Sequence, residues 1–439
     1  MRSRSAAAWL RAKEWRELMA SRAWWVMFVL IGPLVGFSFI SAMWTYAEAS
    51  GLNGTSAGVG EAFSPLVGVW APTFSACELA AAFLLPFVAI RLVAGDRQSG
   101  ALKLELQHPF SAMQRMSAKA LVLAAGWLAA SIPIVLAIAL WKLYGGFIYW
   151  PELGTAFTGH LLNAGLTIAL GAATASIAEH PATAAILTLS VTVGTWIVNF
   201  VAAVQGGAWA VLARYTPTAM VAEFQRGLIR LDVVLVALAL IVAGLLLAAI
   251  WMRSGVAERR RAWESIALAM CALLTLSLCS LARASWDSSE SRANSFSRAD
   301  ERALRAIGMP LTIEVHLAPE DPRRVDLEHR GLAKLARVMP ELQVRYVSQT
   351  SIGLFEQSRE GYGEIWYDLG GRRAMTRATT EESVLETIYE LAGVPAPEMT
   401  EVFRGHPLAS APAHAPFVFY AAWPAAALAT AFYSRRRHA

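Results

Sequence analysis

Long apolar stretches, separated by short polar segments, run through most of the chain. Eight of them reach or approach the roughly 20 residues that a helix needs to cross a hydrocarbon core of about 30 Å. Because backbone polar groups must be paired inside lipid, such stretches predict membrane-spanning helices. The predicted spans lie near 24–44, 70–93, 120–141, 156–177, 184–205, 232–252, 265–282 and 416–433, and the last two are the shortest.

Residues 283–415 break this pattern and alternate between polar and apolar positions as soluble domains do. Residues 285–298 are rich in Ser and Asn and predict a linker. Capping residues and two-residue alternation then predict a small α/β domain. Its predicted elements are a helix that begins at Ser297 with Asp300 as capping partner and ends at Gly308, a strand at 311–317, a helix at 323–338, a strand at 342–346, a strand at 363–369, and a helix that begins at Thr379 with Glu382 as capping partner and ends at Gly393.

The composition agrees with a membrane protein. The 439 residues are 56% hydrophobic and 16% charged, whereas soluble domains carry about 25% charged residues. The formal net charge of +5 raises the question of a nucleic-acid partner. The Lys and Arg residues lie at the ends of the apolar stretches and do not form one patch, so we expect no nucleic-acid binding.

The distribution of Lys and Arg also predicts the orientation of the spans, because cytoplasmic loops are enriched in these residues. Basic residues cluster in 2–22, 97–119, 253–261 and 435–437, whereas the loop at 45–69 has none. We therefore expect both termini in the cytoplasm and residues 283–415 on the extracytoplasmic side.

The residues before the first span, 1–23, predict a cytoplasmic helix that lies at the membrane interface. A simple basic anchor without a defined face is equally compatible with this stretch. If it is a helix, the face that we expect to be apolar carries Ala8, Ala12, Trp15 and Met19, with Lys13 and Glu17 opposite.

The sequence contains no candidate catalytic, cofactor-binding or metal site. The phosphate-binding pattern Gly-x-x-x-x-Gly-Lys-[Ser/Thr] does not occur, so an ATP-driven process would need a separate ATPase chain. Cys77, Cys271 and Cys279 lie inside apolar stretches, without the spacing of a disulfide framework or a metal site. A membrane enzyme is disfavoured because no pairing of a nucleophile with a base is found at membrane depth.

The cytoplasmic loop after the second span, 91–119, is the segment whose residues predict local structure most clearly. It predicts a tight break, a short amphipathic helix and a stop before the third span, which together form a rigid element suited to dock in a partner's groove. An ordinary charged loop is equally compatible with these residues. The residues that define the segment are Asp96 and Arg97, the break at Ser99 and Gly100, the apolar Leu102 and Leu104, and the stop at Pro109.

Glu78 is the one acidic residue placed inside the second predicted span. Ionisable residues in the bilayer are costly and usually face a cavity or a partner. Glu78 is therefore a candidate carboxylate of a translocation pathway or of coupling. The alternatives are a hydrogen-bonded packing residue and a span that begins later along the chain.

The segment GDRQSGALKLELQHPFSAMQRMSAKAL, residues 95–121, resembles the intracellular coupling-helix segment of ABC-2 type transporter permeases. That family pattern has an acid followed by Arg, a Ser-Gly-Thr-Leu-Glu step, and a Pro-x-Ser step before a Lys. Ala101 stands here where Thr is usual, and Lys103 stands where an acid is common.

Two further segments extend the resemblance. YTPTAMVAEFQRGLIRLD, residues 215–232, is similar to the outer re-entrant segment before the last core span, which here contains Pro217, Phe224 and Gly227. Phe224, Gly227 and Asp232 resemble the gliding-motility-type subgroup most. Residues 295–347 resemble the start of the extracytoplasmic auxiliary protein of the same systems, here shortened and fused to the permease.

The resemblance implies a polytopic α-helical membrane protein with a six-helix ABC-2 permease core, two further spans and a small extracytoplasmic α/β domain. The implied layout is an interfacial helix at 1–23, the permease core at 24–252, a basic loop at 253–264, span 7 at 265–282, the auxiliary-like domain at 283–415, span 8 at 416–433 and a basic tail at 434–439.

The implied function is that of a permease subunit in a bacterial inner-membrane ABC transporter, an exporter, with ATP and Mg bound by a partner ATPase and not by this chain. The implied partners are the ABC ATPase, a second permease half, identical or different, and a further extracytoplasmic auxiliary protein. The alternative is an envelope assembly protein in which ATP energy moves the outer domain without transport.

Overall fold

The computed structural model describes residues 6–52, 64–100, 107–108, 110–205, 207–318, 321–347, 361–397 and 403–438. They form two compact units. The helical unit comprises Met1–Ile197, Arg214–Ser288 and Arg404–Ala439, and the sheet unit comprises Val198–Ala213 and Ser289–Phe403. Each unit has a hydrophobic core of its own.

The first helix, α1, spans Ala6–Ala20 and packs against the helical unit with a face other than the predicted one. Leu10, Glu14 and Leu18 are fully buried, whereas Trp15 is exposed. These three residues recur every four positions, which places them on one face. The predicted interfacial stripe through Trp15 lies on a different face of α1 and stays a prediction, whereas the packed face carries a buried carboxylate between two leucines.

Eight helices among the described residues are long and apolar enough to cross a membrane, which confirms the predicted number of spans. The helix of span 3 begins at Ala112, before the apolar stretch predicted from position 120, because Arg115 and Lys119, two charged residues of its first turns, are buried. Spans 1 to 8 are Arg22–Ala49, Leu66–Asp96, Ala112–Leu143, Trp150–Ile177, Pro181–Gln205, Leu231–Trp251, Glu258–Cys279 and Ala415–Ser434.

The helix of span 2 continues past the span itself and ends at Ser99. Spans 2 and 3 are each built from consecutive helical segments, and Pro86 and Pro133 begin the later segment in each. Proline removes one intrahelical hydrogen bond, so the break falls just before it.

Short elements follow span 5. Helix α2, Gly207–Ala213, belongs to the sheet unit, and helix α3, Pro217–Gln225, belongs to the helical unit. Strand β1, Leu228–Arg230, pairs antiparallel with strand β2, Ser285–Asp287. The linker predicted at 285–298 is therefore wrong over its first three residues, because their backbone groups find partners in β1.

Span 8 packs against span 1 through two glycines. A Cβ atom on Gly32 would lie 2.0 Å from the ring of Trp423, and one on Gly36 would lie 2.2 Å from Cβ of Phe419. Trp423 Nε1 donates a hydrogen bond to the carbonyl of Phe28 over 3.0 Å. Small residues let two helices approach closely in a membrane, so the last span shares the core of the first.

The chain that leads into span 8, residues 403–414, is held by the ends of spans 1 and 3. Tyr46 donates to the carbonyl of His406 over 2.6 Å, and the N–H of Leu408 donates to Ser50 Oγ over 3.0 Å. The N–H of His414 donates to the hydroxyl of Tyr144 over 3.0 Å. These contacts fix the segment along its length.

The sheet unit is a four-stranded sheet with helices against one face. In the sheet the order is β4-β3-β5-β6, with β3 and β4 parallel and the other pairs antiparallel. Alternate residues of β3 and β5 are buried under the helices and form the core. Its elements are α4 Arg298–Ile307, β3 Leu311–Val315, α5 322–338, β4 Leu342–Tyr346, β5 Ile365–Leu369, β6 Arg372–Thr376 and α6 Glu381–Ala392.

This unit confirms the predicted small sheet-containing region and corrects two details. Strand β6 was not predicted, because it is an edge strand whose residues are mostly exposed and lack an apolar alternation. The cap of α6 is Thr380, which accepts from the N–H of Ser383, and not the predicted Thr379 with Glu382. The predicted cap of α4 is correct, since Ser297 accepts from the N–H of Asp300.

Candidate coupling site

The predicted coupling segment begins where the helix of span 2 ends. Arg97 and Ser99 lie in the last turn of that helix, and Gly100 follows with a left-handed φ of 75°. Glycine adopts this conformation without the steric cost of a side chain and commonly ends a helix. The helix therefore stops at the predicted break. Leu102, Leu104 and Pro109 lie outside the described residues.

The far end of the segment is closed by a capping box at the start of span 3. Ser111 Oγ accepts from the N–H of Gln114 over 3.1 Å, and Gln114 Oε1 accepts from the N–H of Ser111 over 2.9 Å. This reciprocal pair satisfies two N–H groups at the helix end. Trp9 of α1 stacks on Phe110 with ring centroids 6.5 Å apart, so α1 also reaches this end of the segment.

A buried ionic cluster joins both sides of the segment to α1. Lys119 Nζ lies 2.6 Å from Glu14 Oε2 and 2.5 Å from Asp96 Oδ2. Lys119 Nζ also donates to the carbonyl of Leu92 over 3.2 Å. The side chains of Lys119 and Glu14 are 0% exposed and that of Asp96 is 3% exposed. We call Glu14, Asp96 and Lys119 the anchor cluster.

Two charged residues on α1 surround the anchor cluster. Lys13 Nζ lies 3.1 Å from Asp96 Oδ1, 3.2 Å from Glu14 Oε1 and 2.9 Å from Glu17 Oε1. The carboxylate oxygens of Glu14, Glu17 and Asp96 lie within 4.8 Å of one another, a spacing at which acids can share a cation. Here the two ammonium groups of Lys13 and Lys119 are that positive charge.

Burial and attraction act in opposite directions on the acids of α1. Burial raises the pKa of Glu14, despite the lowering effect of Lys119 and Lys13. Burial likewise raises the pKa of Glu17, although Lys13 donates a hydrogen bond to it. A buried ion pair repays its desolvation only with good geometry and further hydrogen bonds, and removing one partner leaves a buried charge. The cluster therefore holds its three helical segments in one arrangement.

Only part of this cluster was visible in the sequence. Asp96 was predicted as a site residue from its place before the break. Lys119 ends the basic stretch 97–119, but nothing in the sequence pairs it with Glu14, which lies 105 positions away. The one available signal was the place of Glu14 between Leu10 and Leu18 on a single helical face.

The structure brings Glu78 together with the predicted re-entrant segment. Glu78 is half-buried in span 2 and shares a hydrogen bond with Thr218, which follows Pro217 in the first turn of α3. A Cβ atom on Gly159 would lie 2.4 Å from Cβ of Phe224, so α3 packs closely on span 4. Gly227, with a φ of 81°, then turns the chain into β1.

A second ionic group holds α3 to the start of span 6. Arg230 lies 2.9 Å from Glu223 Oε1 and 2.5 Å from Asp232 Oδ2, and its Nε donates to Asp232 Oδ1 over 3.2 Å. Burial opposes the charge of Arg230, but Glu223 and Asp232 raise its pKa. The planar guanidinium binds Asp232 through two nitrogens, which fixes the turn between α3 and the span.

His160 in span 4 is a buried ionisable residue that the sequence did not single out. It is 1% exposed, and neither ring nitrogen has a hydrogen-bond partner among the described residues. Its ring centroid lies 5.1 Å from that of Trp127 and 6.0 Å from that of Phe74. These contacts make it a packing residue of the span core.

Residues 8–217 match the family described as ABC-2 family transporter protein. The matched segment contains α1 from Ala8 onward, spans 1 to 5 and all three residues of the anchor cluster. No curated protein sequence matches the chain.

Proposed function

We propose that the chain is the membrane component of an ABC transporter and the permease subunit of an exporter, because residues 8–217 match the family described as ABC-2 family transporter protein. A separate ATPase chain supplies the energy and binds ATP and Mg. The observation that supports this most is the anchor cluster, because it makes both ends of the segment 97–118 move together with α1.

The anchor cluster explains how a docked partner acts on the spans. A force applied to the segment reaches span 2 through Asp96 and span 3 through Lys119, whose charged groups lie 2.5 Å apart. Glu14 adds α1 to the same rigid group, with an oxygen 2.6 Å from Lys119 Nζ. Because packed elements change arrangement in discrete steps, such a joint passes on a displacement that a flexible loop would absorb.

We place the segment in the cytoplasm, where ATP is available, and the protein in the bacterial inner membrane. The concentration of Lys and Arg in 2–22, 97–119, 253–261 and 435–437 supports this orientation. In this orientation both termini are cytoplasmic. The sheet unit is on the extracytoplasmic side of the membrane, and the contact between Glu78 and Thr218 lies toward that side. Export is the direction that the resemblance to ABC-2 permeases implies.

Partner capture tests the proposal directly. The tagged full chain, its native operon partners co-expressed, is purified in mild detergent, and co-purifying ATPase is measured by mass spectrometry. One variant replaces residues 101–109 with a Gly/Ser linker and keeps Asp96, Gly100 and Ser111. The matched control replaces residues 54–62 with the same linker.

We expect ATPase with the wild type and the 54–62 control, and loss of most of it with the 101–109 variant. ATPase that stays bound to the 101–109 variant would show that the docking site is elsewhere. If no ATPase is recovered with the wild type, the proposed permease function itself is wrong.

A further inference from the structure

Among the described residues of the sheet unit, helices cover one face of the sheet and leave the other face open. Leu311, Ile313 and Val315 of β3 point into the helix-covered core, so the residues between them point the other way. The open face carries residues from all four strands. They are Thr312, Glu314, Arg345, Trp366, Asp368 and Arg373, and we call this set the open sheet face.

The strand register places these side chains next to one another. Glu314 lies opposite Arg345 on one side and opposite Trp366 on the other. Thr312 lies opposite Asp368, and Asp368 lies opposite Arg373. Side chains directly opposite each other on neighbouring strands are in contact range. Together with Tyr367, they line a shallow concavity of about 190 Å³.

The indole of Trp366 is held in place within this concavity. Its Nε1 donates to Glu364 Oε2 over 3.2 Å, and that residue in turn accepts from Arg377 over 3.1 Å. The hydrogen bonds fix the orientation of the ring, and the side chain stays partly exposed. A fixed aromatic face is a flat apolar platform with little entropy to lose on binding.

The polar groups around the platform have unused hydrogen-bonding capacity. Within the described part of the chain, the side chains of Glu314 and Arg345 have no hydrogen-bond partner. Asp368 accepts from Arg373 over 2.9 Å and from the N–H of Gly371 over 3.1 Å, which leaves lone pairs and guanidinium N–H groups free. Both donors and acceptors therefore surround one aromatic ring.

The charges of this face cancel, since two guanidinium groups stand beside two carboxylates. A polyanion such as nucleic acid needs a surplus of positive charge, and an apolar peptide would bury these charges without partners. The matching ligand is neutral, has a flat apolar face for the indole and offers many hydroxyl groups for carboxylates and guanidinium groups.

We propose that the open sheet face binds a neutral saccharide, with a sugar ring stacked on Trp366. Glu314 and Asp368 accept from its hydroxyl groups, and Arg345 and Arg373 donate to its oxygens. This site lies outside the segment that matches the ABC-2 family and is independent of ATPase docking.

The test uses the full chain in lipid nanodiscs that have been freed of sugar-headgroup detergent, which would compete for the site. Fluorescently labelled chitotetraose, cellotetraose and maltotetraose are titrated by thermophoresis, beside a tetrapeptide with two acidic and two basic residues. The variants are Trp366→Ala, Trp366→Phe and Glu314→Gln. Trp286→Ala, which removes an exposed indole from β2 instead, is the matched control.

We expect saturable binding of at least one of the three saccharides, weakened at least about tenfold by Trp366→Ala and by Glu314→Gln. Trp366→Phe, which keeps an aromatic face, should retain most of the binding, and Trp286→Ala should retain all of it. Retained thermal unfolding temperatures show that the variants are folded.

Three results would overturn the proposal. They are no binding by any of the saccharides, tighter binding of the tetrapeptide than of every saccharide, and unchanged saccharide binding by folded Trp366→Ala and Glu314→Gln.

Discussion

At the residue scale, Lys119 is the side chain on which the anchor cluster depends. Replacing it by Met keeps the apolar stem and removes the charge that Glu14 and Asp96 share. Removing one partner of a buried ion pair costs about 3–5 kcal/mol, because the other charges stay buried. We therefore expect Lys119→Met to lower the thermal unfolding temperature of the purified protein clearly and to reduce the ATPase recovered with it.

Lys142→Met is the control for this prediction, since it changes an exposed lysine at the other end of the same span. Adding Glu14→Gln to Lys119→Met should restore part of the lost unfolding temperature, because the double variant no longer buries the unpaired carboxylate of Glu14. Equal unfolding temperatures for Lys119→Met and Lys142→Met would show that the cluster does not stabilise the fold.

At the element scale, the packing of span 8 on span 1 depends on the absence of a side chain at Gly36. We expect Gly36→Leu to destabilise the protein by about 1–3 kcal/mol, because overpacking forces neighbouring side chains and backbone to move. The measurement is thermal unfolding in detergent. The control is Gly194→Leu in span 5, where nothing lies within 4 Å of an added Cβ atom. A Gly36→Leu protein as stable as the control would contradict this packing.

The start of α5 gives a prediction about pH. Asp321 caps the helix, accepting from the N–H of Arg323 over 2.9 Å, and it also accepts from the hydroxyl of Tyr362 over 2.8 Å. The hydrogen bond from the Arg323 side chain is the main cause that lowers the pKa of Asp321 from 3.8 to about 2. A lowered pKa stabilises the fold above pH 3.8, and this stabilisation is lost as pH falls toward 2.

Asp321→Asn should therefore lower the unfolding temperature of the sheet unit near neutral pH, with the difference from wild type shrinking as the solution is acidified through this range. Asp326→Asn, which removes a more exposed acid from the same helix, should have little effect at either pH, because exposed ion pairs contribute little. A wild-type advantage that does not change with pH would show that Asp321 acts through packing alone.

At the scale of the whole molecule, the sequence predicts what depends on local composition. The eight spans follow from apolar length, and the caps at Ser297 and Gly308 follow from backbone chemistry within one turn. The sequence does not predict pairings that arise only when distant segments meet. Glu14 with Lys119, Glu78 with Thr218, and β2 with β1 are of this kind.

The packed face of α1 and the edge strand β6 escape prediction for the same physical reason. The packed face of α1 carries Glu14, whose charge is paired with that of Lys119, and a paired charge packs where an apolar residue would. Strand β6 was missed because an edge strand with exposed residues carries no alternation to detect. The pattern of apolar residues therefore predicts which residues are buried only where the buried residues are themselves apolar.

The contact between the first and last spans can form only late in the synthesis of the chain. Phe28 and Trp423 are hydrogen-bonded across 395 positions of the chain. At about 5–20 residues per second, the ribosome needs roughly 20–80 s to make the residues between them. During that interval span 1 is already in the membrane with its narrow groove at Gly32 and Gly36, but span 8, which fills this groove, has not yet been synthesised. A nascent chain released before residue 423 would therefore keep an open groove on span 1, which gives membrane quality control a feature by which to recognise an unfinished protein.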